Sequence, residues 1–179
     1  MEEFIYLDVG CGEAKRNGCI GLDLRELKGV DIISDANKLP FRNNIFDGIF
    51  LIHIIEHIFD INLFMSDIWR VSKKDAIIKI WTPHYTSHNS YTDITHIHHL
   101  GSRSLDYFDK TTILGKYWIS KTQFRILKRV LIFDKGMTNI WNYIIERLAN
   151  KYYSRYEKTY GWIFPAKDIF FELKVRKKE

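Results

Sequence analysis

Cysteine is scarce in this chain: Cys11 and Cys19 are the only two among 179 residues. They are too few for a disulfide framework and lack a CxxC spacing. Long apolar runs are missing too, since no stretch approaches the roughly 20 residues that a membrane-spanning helix needs. The opening "MEEFIYLDVG" is acidic and runs straight into apolar residues, without the basic start of a secretory signal. A soluble protein of a reducing cytoplasm is expected. Internal repeats and low-complexity linkers are absent as well. With 46% apolar and 15% aromatic residues the chain reads as one domain, 1–179, able to bury a sizeable core.

Negative charge is short in the last third. Residues 1–109 carry 11 Lys and Arg against 16 Asp and Glu, whereas residues 110–179 carry 16 against 6. Such a basic region can attract phosphate, nucleic acid or an anionic membrane surface. Apart from the tail "VRKKE" its cations are scattered, which is also how a merely solvated surface looks.

What is present first is a series of short apolar runs. "FIYLDV" (Phe4–Val9), "CIGLDL" (Cys19–Leu24), "VDIIS" (Val30–Ser34) and "FDGIFLI" (Phe46–Ile52) read as buried parallel strands, and "AIIKIW" (Ala76–Trp81) as a fifth. Between the last two, Ile61, Phe64, Met65, Ile68 and Val71 repeat at helical spacing behind Asp60, a candidate N-cap. This order predicts a Rossmann-like, doubly wound and mostly parallel α/β sheet. Only about eight residues join the first two strands, too few for a full crossover helix, so one face should be thinly covered. Self-association through that face, as a homodimer, is one expectation. Residues 82–104 show no periodic element and are read as a substrate-side loop insertion. Beyond them come a short helix over 105–114, a strand over 124–133 and an amphipathic helix marked by Ile140, Trp141, Ile144, Ile145 and Leu148. "FELKVR" follows as a half-exposed, antiparallel last strand.

Gly10 and Gly12 lie where the first strand ends, at the carboxyl edge where open α/β sheets bind ligands. Asp23 ends the second strand, where a carboxylate can accept both hydroxyls of a ribose, and Asp35 follows the third. The dinucleotide fingerprint GxGxxG is missing: position 15 is Lys, and the acid comes 13 residues after Gly10. Nicotinamide and flavin are therefore disfavoured.

At these residues the sequence resembles the class I S-adenosylmethionine-dependent methyltransferases, in a short, type 11-like subgroup. "LDVGCG", "GLD", "DANKLPF" and "FDGIFLIHIIEHI" are similar to that family's motifs and occur in its order over residues 6–58. The resemblance implies S-adenosylmethionine as cofactor. It places Asp8, Gly10, Cys11 and Gly12 at the methionine portion and Asp23 with Leu24 at the ribose. Asp35 with Ala36 would bracket the adenine, and His53 would face the cofactor. Two family features are absent: the helix before the first strand, and most of the helix after the glycine turn. The later segments "YTDITHIHHLGSRSLDYF" and "YGWIFPAKDIFFELKV" are similar to short methyltransferases associated with sugar or surface-polysaccharide pathways.

Five of seven histidines fall between His84 and His99. Methyl transfer to oxygen needs a proton acceptor, and an imidazole with a neighbouring carboxylate supplies one. His96 is the candidate base and Asp93 its orienting partner, with His98 and His99 as equivalent candidates. His-x-His spacing also suits a divalent metal, although no metal is assigned. The plain alternative is that these imidazoles only hydrogen-bond a long loop together. The sequence therefore points to O-methylation of a small or saccharide acceptor. Two alternatives stand beside it: a nucleic-acid methyltransferase using the basic third, and a non-catalytic binding module of the same fold.

Overall fold

The computed structural model describes residues 4–117, 121–136 and 139–177; Met1–Glu3 and the tail residues Lys178 and Glu179 lie outside the described residues. Seven strands form one sheet: β1 Tyr6–Val9, β2 Cys19–Asp23, β3 Ile32–Ile33, β4 Phe46–Ile52, β5 Ser72–Pro83, β6 Phe124–Ile132 and β7 Asp168–Val175. Their order is β3-β2-β1-β4-β5-β7-β6. The first five run parallel, and β7 is antiparallel to both its neighbours. This is the predicted Rossmann-like sheet with its antiparallel C-terminal strand. Because β7 runs the other way, its first residue, Asp168, reaches the same edge as the carboxyl ends of the parallel strands.

Helix α1 spans Ile61–Val71 and starts as expected: the Asp60 side chain accepts from the Asn62 and Leu63 N–H groups. Those are two of the donors that a helix N-terminus leaves without partners. Its residues Phe64, Met65, Ile68 and Val71 are fully buried and join one core with Leu7, Val9, Ile49, Leu51, Ile78 and Ile80.

The opposite face of the sheet is bare over its first half. Among the described residues no helix lies between β1 and β4. Tyr6, Phe50, Lys79 and Glu172 therefore stay partly open to solvent, and the Arg16 guanidinium lies over the Phe50 ring. The same openness gives β7 its alternation: Phe171, Leu173 and Val175 are buried, while Glu172 and Lys174 look outward.

Two expectations need correction. The short helix expected over 105–114 is a 3₁₀ turn, Asp106–Phe108, and a separate helix α3, Ile113–Tyr117, with α2, Asn89–Thr92, preceding them. Asp109 divides the two because its carboxylate accepts from Thr111 N–H and Ile126 N–H, closing a side-chain turn instead of continuing the helix. Residues 82–104 also hold more order than their lack of periodicity suggests. Thr82 and Pro83 still belong to β5, and α2 is too short to show a period.

Helices α4, Asn142–Lys151, and α5, Tyr153–Thr159, run beside β6, the edge strand. Asn142, Glu146 and Asn150 recur every four residues on α4 and face the chain of β6 and the segment after it. Asn150 exchanges hydrogen bonds with both backbone groups of Leu131, Glu146 accepts from Phe133 N–H, and Asn142 donates to the Asp134 carbonyl. A sheet edge exposes unpaired backbone groups, and this polar stripe satisfies them.

Candidate active site

The turn after β1 is left-handed at both glycines, with φ of +67° at Gly10 and +54° at Gly12. A side chain at Gly10 is excluded twice over, since a Cβ there would also meet Ile54 at 2.8 Å. At Gly12 a Cβ would meet nothing within 4 Å, so the main chain lies open to a ligand. The turn is pinned to β2 by Gly10 N–H and Cys11 N–H, both donating to the Leu22 carbonyl. Cys11 is buried beneath it; burial and the nearby Asp8 and Asp23 charges push its thiol pKa up, so it packs as a protonated, unreactive group.

Asp23 ends β2 beside this turn. Its Oδ2 accepts from Gly12 N–H at 2.9 Å and its Oδ1 from Arg25 N–H at 3.0 Å. Burial raises its pKa, but these bonds outweigh it and hold the carboxyl below its ordinary range. Asp23 is therefore ionised, and Oδ2 keeps acceptor capacity for a hydroxyl. Leu24, next along, is exposed. The third-strand acid lies close by, because Ser34 N–H donates to the Asp23 carbonyl. Asp35 itself closes a turn on Asn37, and Ala36 packs against the core. Asp8 has a different position: buried on the bare-face side, it accepts from Arg16 N–H and ties down the far end of the loop.

His53 follows β4, adjacent to the Ile54 side chain that abuts Gly10. Its backbone is left-handed, φ +51°, a strained choice for a residue with a side chain. The ring is half-exposed at 48%, and its Nδ1 lies 3.3 Å from Oε1 of Glu56, which is buried. The Glu56 hydrogen bond raises the His53 pKa; burial opposes this in part, and the Glu56 and Asp168 charges add to the rise. Glu56 is also held by the Thr82 hydroxyl at 3.1 Å. Asp168 is a further acid of this edge: half-buried, with a shielded Oδ1 that has no hydrogen-bond partner among the described residues and a pKa raised by burial. Sequence reasoning missed it because the antiparallel last strand was expected to begin at Phe171, which left Asp168 outside it, whereas the strand starts at Asp168.

The histidine loop is strapped to the turn carrying Glu56. The N–H groups of Ile97 and His98 both donate to the Glu56 carbonyl. His96 packs edge-on against His57 with ring centroids 4.6 Å apart, and its Nδ1 is 3.2 Å from the Ser90 carbonyl. Asp93 lies 3.9 Å from His96 Nε2, beyond hydrogen-bond reach, and its Oδ1 is occupied by Thr95. His98 Nε2 sits 3.4 Å from the Phe59 carbonyl; His99 bonds the Ser90 hydroxyl and stacks on Tyr91. His84 is fully buried between Thr86 and Glu157, a structural role. Glu56, His57 and His96 each offer a ligand atom, all within 4.8 Å of one another. Ligands about 2.0–2.2 Å from one ion at tetrahedral angles lie about 3.3–3.6 Å apart, so the three side chains would have to draw together by about 1 Å or more to share a divalent cation.

Comparison with known proteins bears on the fold. Residues 15–80 match a family model described as a methyltransferase domain; the span includes Asp23, Asp35, Ala36 and His53 but begins after the glycine turn. No curated protein matches the sequence. Among solved structures, the chain is similar to an S-adenosylmethionine-dependent methyltransferase from Archaeoglobus fulgidus, with 22% identity, 96% of this chain and 86% of that one covered, and a TM-score of 0.61. It is similar to the YcgJ protein of Bacillus subtilis at 16% identity, covering 98% and 93%, with a TM-score of 0.62. The [4+2]-cyclase SpnF aligns as well, at 16% identity over 98% and 76% with a TM-score of 0.62. One fold thus carries more than one chemistry, and the reaction has to be argued from the site.

Proposed function

We propose that this chain is a class I, type 11-like S-adenosylmethionine-dependent methyltransferase that methylates a hydroxyl of a small or saccharide acceptor; the methyltransferase domain matched over residues 15–80 and the fold support the family. The observation that carries the proposal is the His53–Glu56 pair, held in strained backbone beside the glycine turn. When bound, S-adenosylmethionine supplies an electrophilic methyl on a sulfonium. The open backbone at Gly12 and the ionised Asp23 are the groups fitted to its methionine and ribose portions, and Asp35 with Ala36 to its adenine. His53 accepts the acceptor hydroxyl's proton as displacement proceeds, and buried Glu56 orients the ring and stabilises its charged form. His96 with Asp93, and His98 and His99, line the acceptor side and are alternative bases in this proposal.

Calorimetric titration with S-adenosylhomocysteine is the first test. The wild type is expected to bind, with Asp23→Ala at least about tenfold weaker, a loss of about 1.4 kcal/mol. Absence of any binding by the wild type would leave a non-catalytic module of this fold. With an acceptor in hand, His53→Asn should lower kcat by about a hundredfold or more and His96→Asn by far less. The reverse ranking moves the base to the loop. Glu56, Asp168 and Lys167 are the charged groups acting on His53. A base with a raised pKa is protonated below it, so activity should rise with pH through a midpoint above the ordinary value near 6.5.

Two further readings have specific observations behind them. The Glu56–His57–His96 set favours metal assistance of the same transfer; full activity after chelation eliminates it. A nucleic-acid acceptor finds support in a cleft of about 1040 Å³ lined by Arg70, Lys74, Lys110, Lys121, Arg176 and Lys177. This cleft lies at the amino edge of the strands, and β4's seven residues span about 23 Å. Phosphates bound there are a sheet's height from His53, and salt-insensitive activity excludes them.

A further inference from the structure

Helix α4 carries an apolar stripe at Trp141, Ile144, Ile145, Leu148 and Tyr152, the spacing of a core-facing helix. Most of the stripe faces outward instead: Trp141 is 70% exposed and Ile144 and Leu148 are each 55% exposed, while Ile145 at its margin is partly buried against the core. The cause is the polar stripe Asn142, Glu146 and Asn150, which takes the inner side to close the edge of β6. With Tyr160 and Phe164, which follow α5, the apolar side lines a hollow of about 350 Å³. Trp162, between Tyr160 and Phe164 in the chain, is 66% exposed and packs edge-on against Tyr85, just after β5. So much contiguous apolar surface marks an interaction site.

The charges around the patch select its occupant. Both acids of this helix pair are turned inward, Glu146 to Phe133 and Lys135, Glu157 to His84 and Ser102. The exposed charges of α4 and α5 are Arg147, Lys151, Arg155 and Lys158, all cationic. At 100° per residue, Arg147 and Lys151 flank the apolar stripe on one side, while Arg155 lines the hollow. Tyr and Trp among aliphatic residues, bordered by Lys and Arg, is the composition of a helix lying in the interface of an anionic bilayer. A second copy is disfavoured where α4 pairs antiparallel with itself, since that two-fold contact sets the Arg147–Lys151 border against its own like. Phosphate recognition alone gives no reason for the exposed Trp, Ile and Leu.

We propose that this face docks the protein peripherally on an anionic lipid bilayer, with α4 lying in the interface plane. The proposal is independent of the methyl-transfer reading. The test is co-sedimentation with mixed phosphatidylcholine/phosphatidylglycerol vesicles and with pure phosphatidylcholine vesicles, followed by tryptophan fluorescence. The wild type should bind the mixed vesicles with a blue shift and bind neutral ones much less. Leu148→Asp should weaken binding about tenfold or more, because it removes a fully inserted apolar side chain. Arg147→Glu with Lys151→Glu should weaken it further as salt screens what charge remains. These positions are exposed, and unchanged thermal unfolding shows that the variants fold. Failure of the folded wild type to bind either vesicle overturns the proposal. So does a dimer in light scattering that Leu148→Asp dissolves, which would assign the face to a second copy.

Discussion

Helices α1 and α4 place apolar residues at nearly the same intervals, yet one buries them and the other displays them. In α1 the series Ile61, Phe64, Met65, Ile68, Val71 presses on the sheet face, and its last four members are fully buried. In α4 Trp141, Ile144, Leu148 and Tyr152 look away from the protein, Ile145 at the stripe's margin is partly buried against the core, and Ala149 is the helix's buried residue. The difference lies on the opposite sides of the two helices. The polar side of α4 finds backbone groups at a sheet edge, where three amide and carboxylate side chains hold it. That of α1 finds loop carbonyls instead: Arg70 donates to those of Leu39 and Phe41. Apolar periodicity therefore says that a helix has two sides, and the partner of the polar side decides which one is buried.

Truncating the apolar side should break this symmetry most visibly in α1. Phe64→Ala is expected to cost about 4 kcal/mol in denaturant unfolding, the loss of a fully buried aromatic in a close-packed core. In α4 the larger effect belongs to the polar side. Asn150→Ala leaves the buried Leu131 N–H and carbonyl without partners and should cost about 2 kcal/mol; a neutral result would mean that the edge is closed some other way. Removing the cap of α1 by Asp60→Ala should cost about 1 kcal/mol, with the loss appearing as fraying in hydrogen exchange at Asn62 and Leu63. The smallest effect sharpens the contrast. Leu148→Ser should shift stability by no more than about 0.5 kcal/mol in the absence of vesicles, because more than half of that residue is already exposed to water. A loss comparable to Phe64→Ala would show that the stripe packs inward after all.

Much of the fold could be read along the chain because its first half is built from local signals. Near-continuous apolar runs, the Asp60 cap and the Gly10–Gly12 turn each act within a few residues, and the short joins between strands foretold the bare face. The acids Asp23 and Asp35 were legible for the same reason, each marking a strand's end. The pairing of His53 with Glu56 needed more. Three residues separate them, but the ring and carboxylate meet only because His53 adopts a left-handed backbone. Asp168, 115 positions further on, could not be found from an antiparallel strand expected to begin at Phe171, because its place depends on the strand's true start and its pairing with Pro83. The Asp93–His96 pairing was plausible from spacing, yet Thr95 and Ser90 lie nearer and take the hydrogen bonds.

What the sequence by itself determined is the first five strands with helix α1, their parallel run and the edge at which glycines and acids gather, since these follow from periodicity and steric rules acting over short distances. Tertiary structure alone decided which histidine meets a buried carboxylate, where an antiparallel strand delivers Asp168, and that α4 turns its apolar side outward. Each of those depends on groups far apart in the chain competing for the same hydrogen bonds, and only the folded arrangement settles which of them are near enough to win.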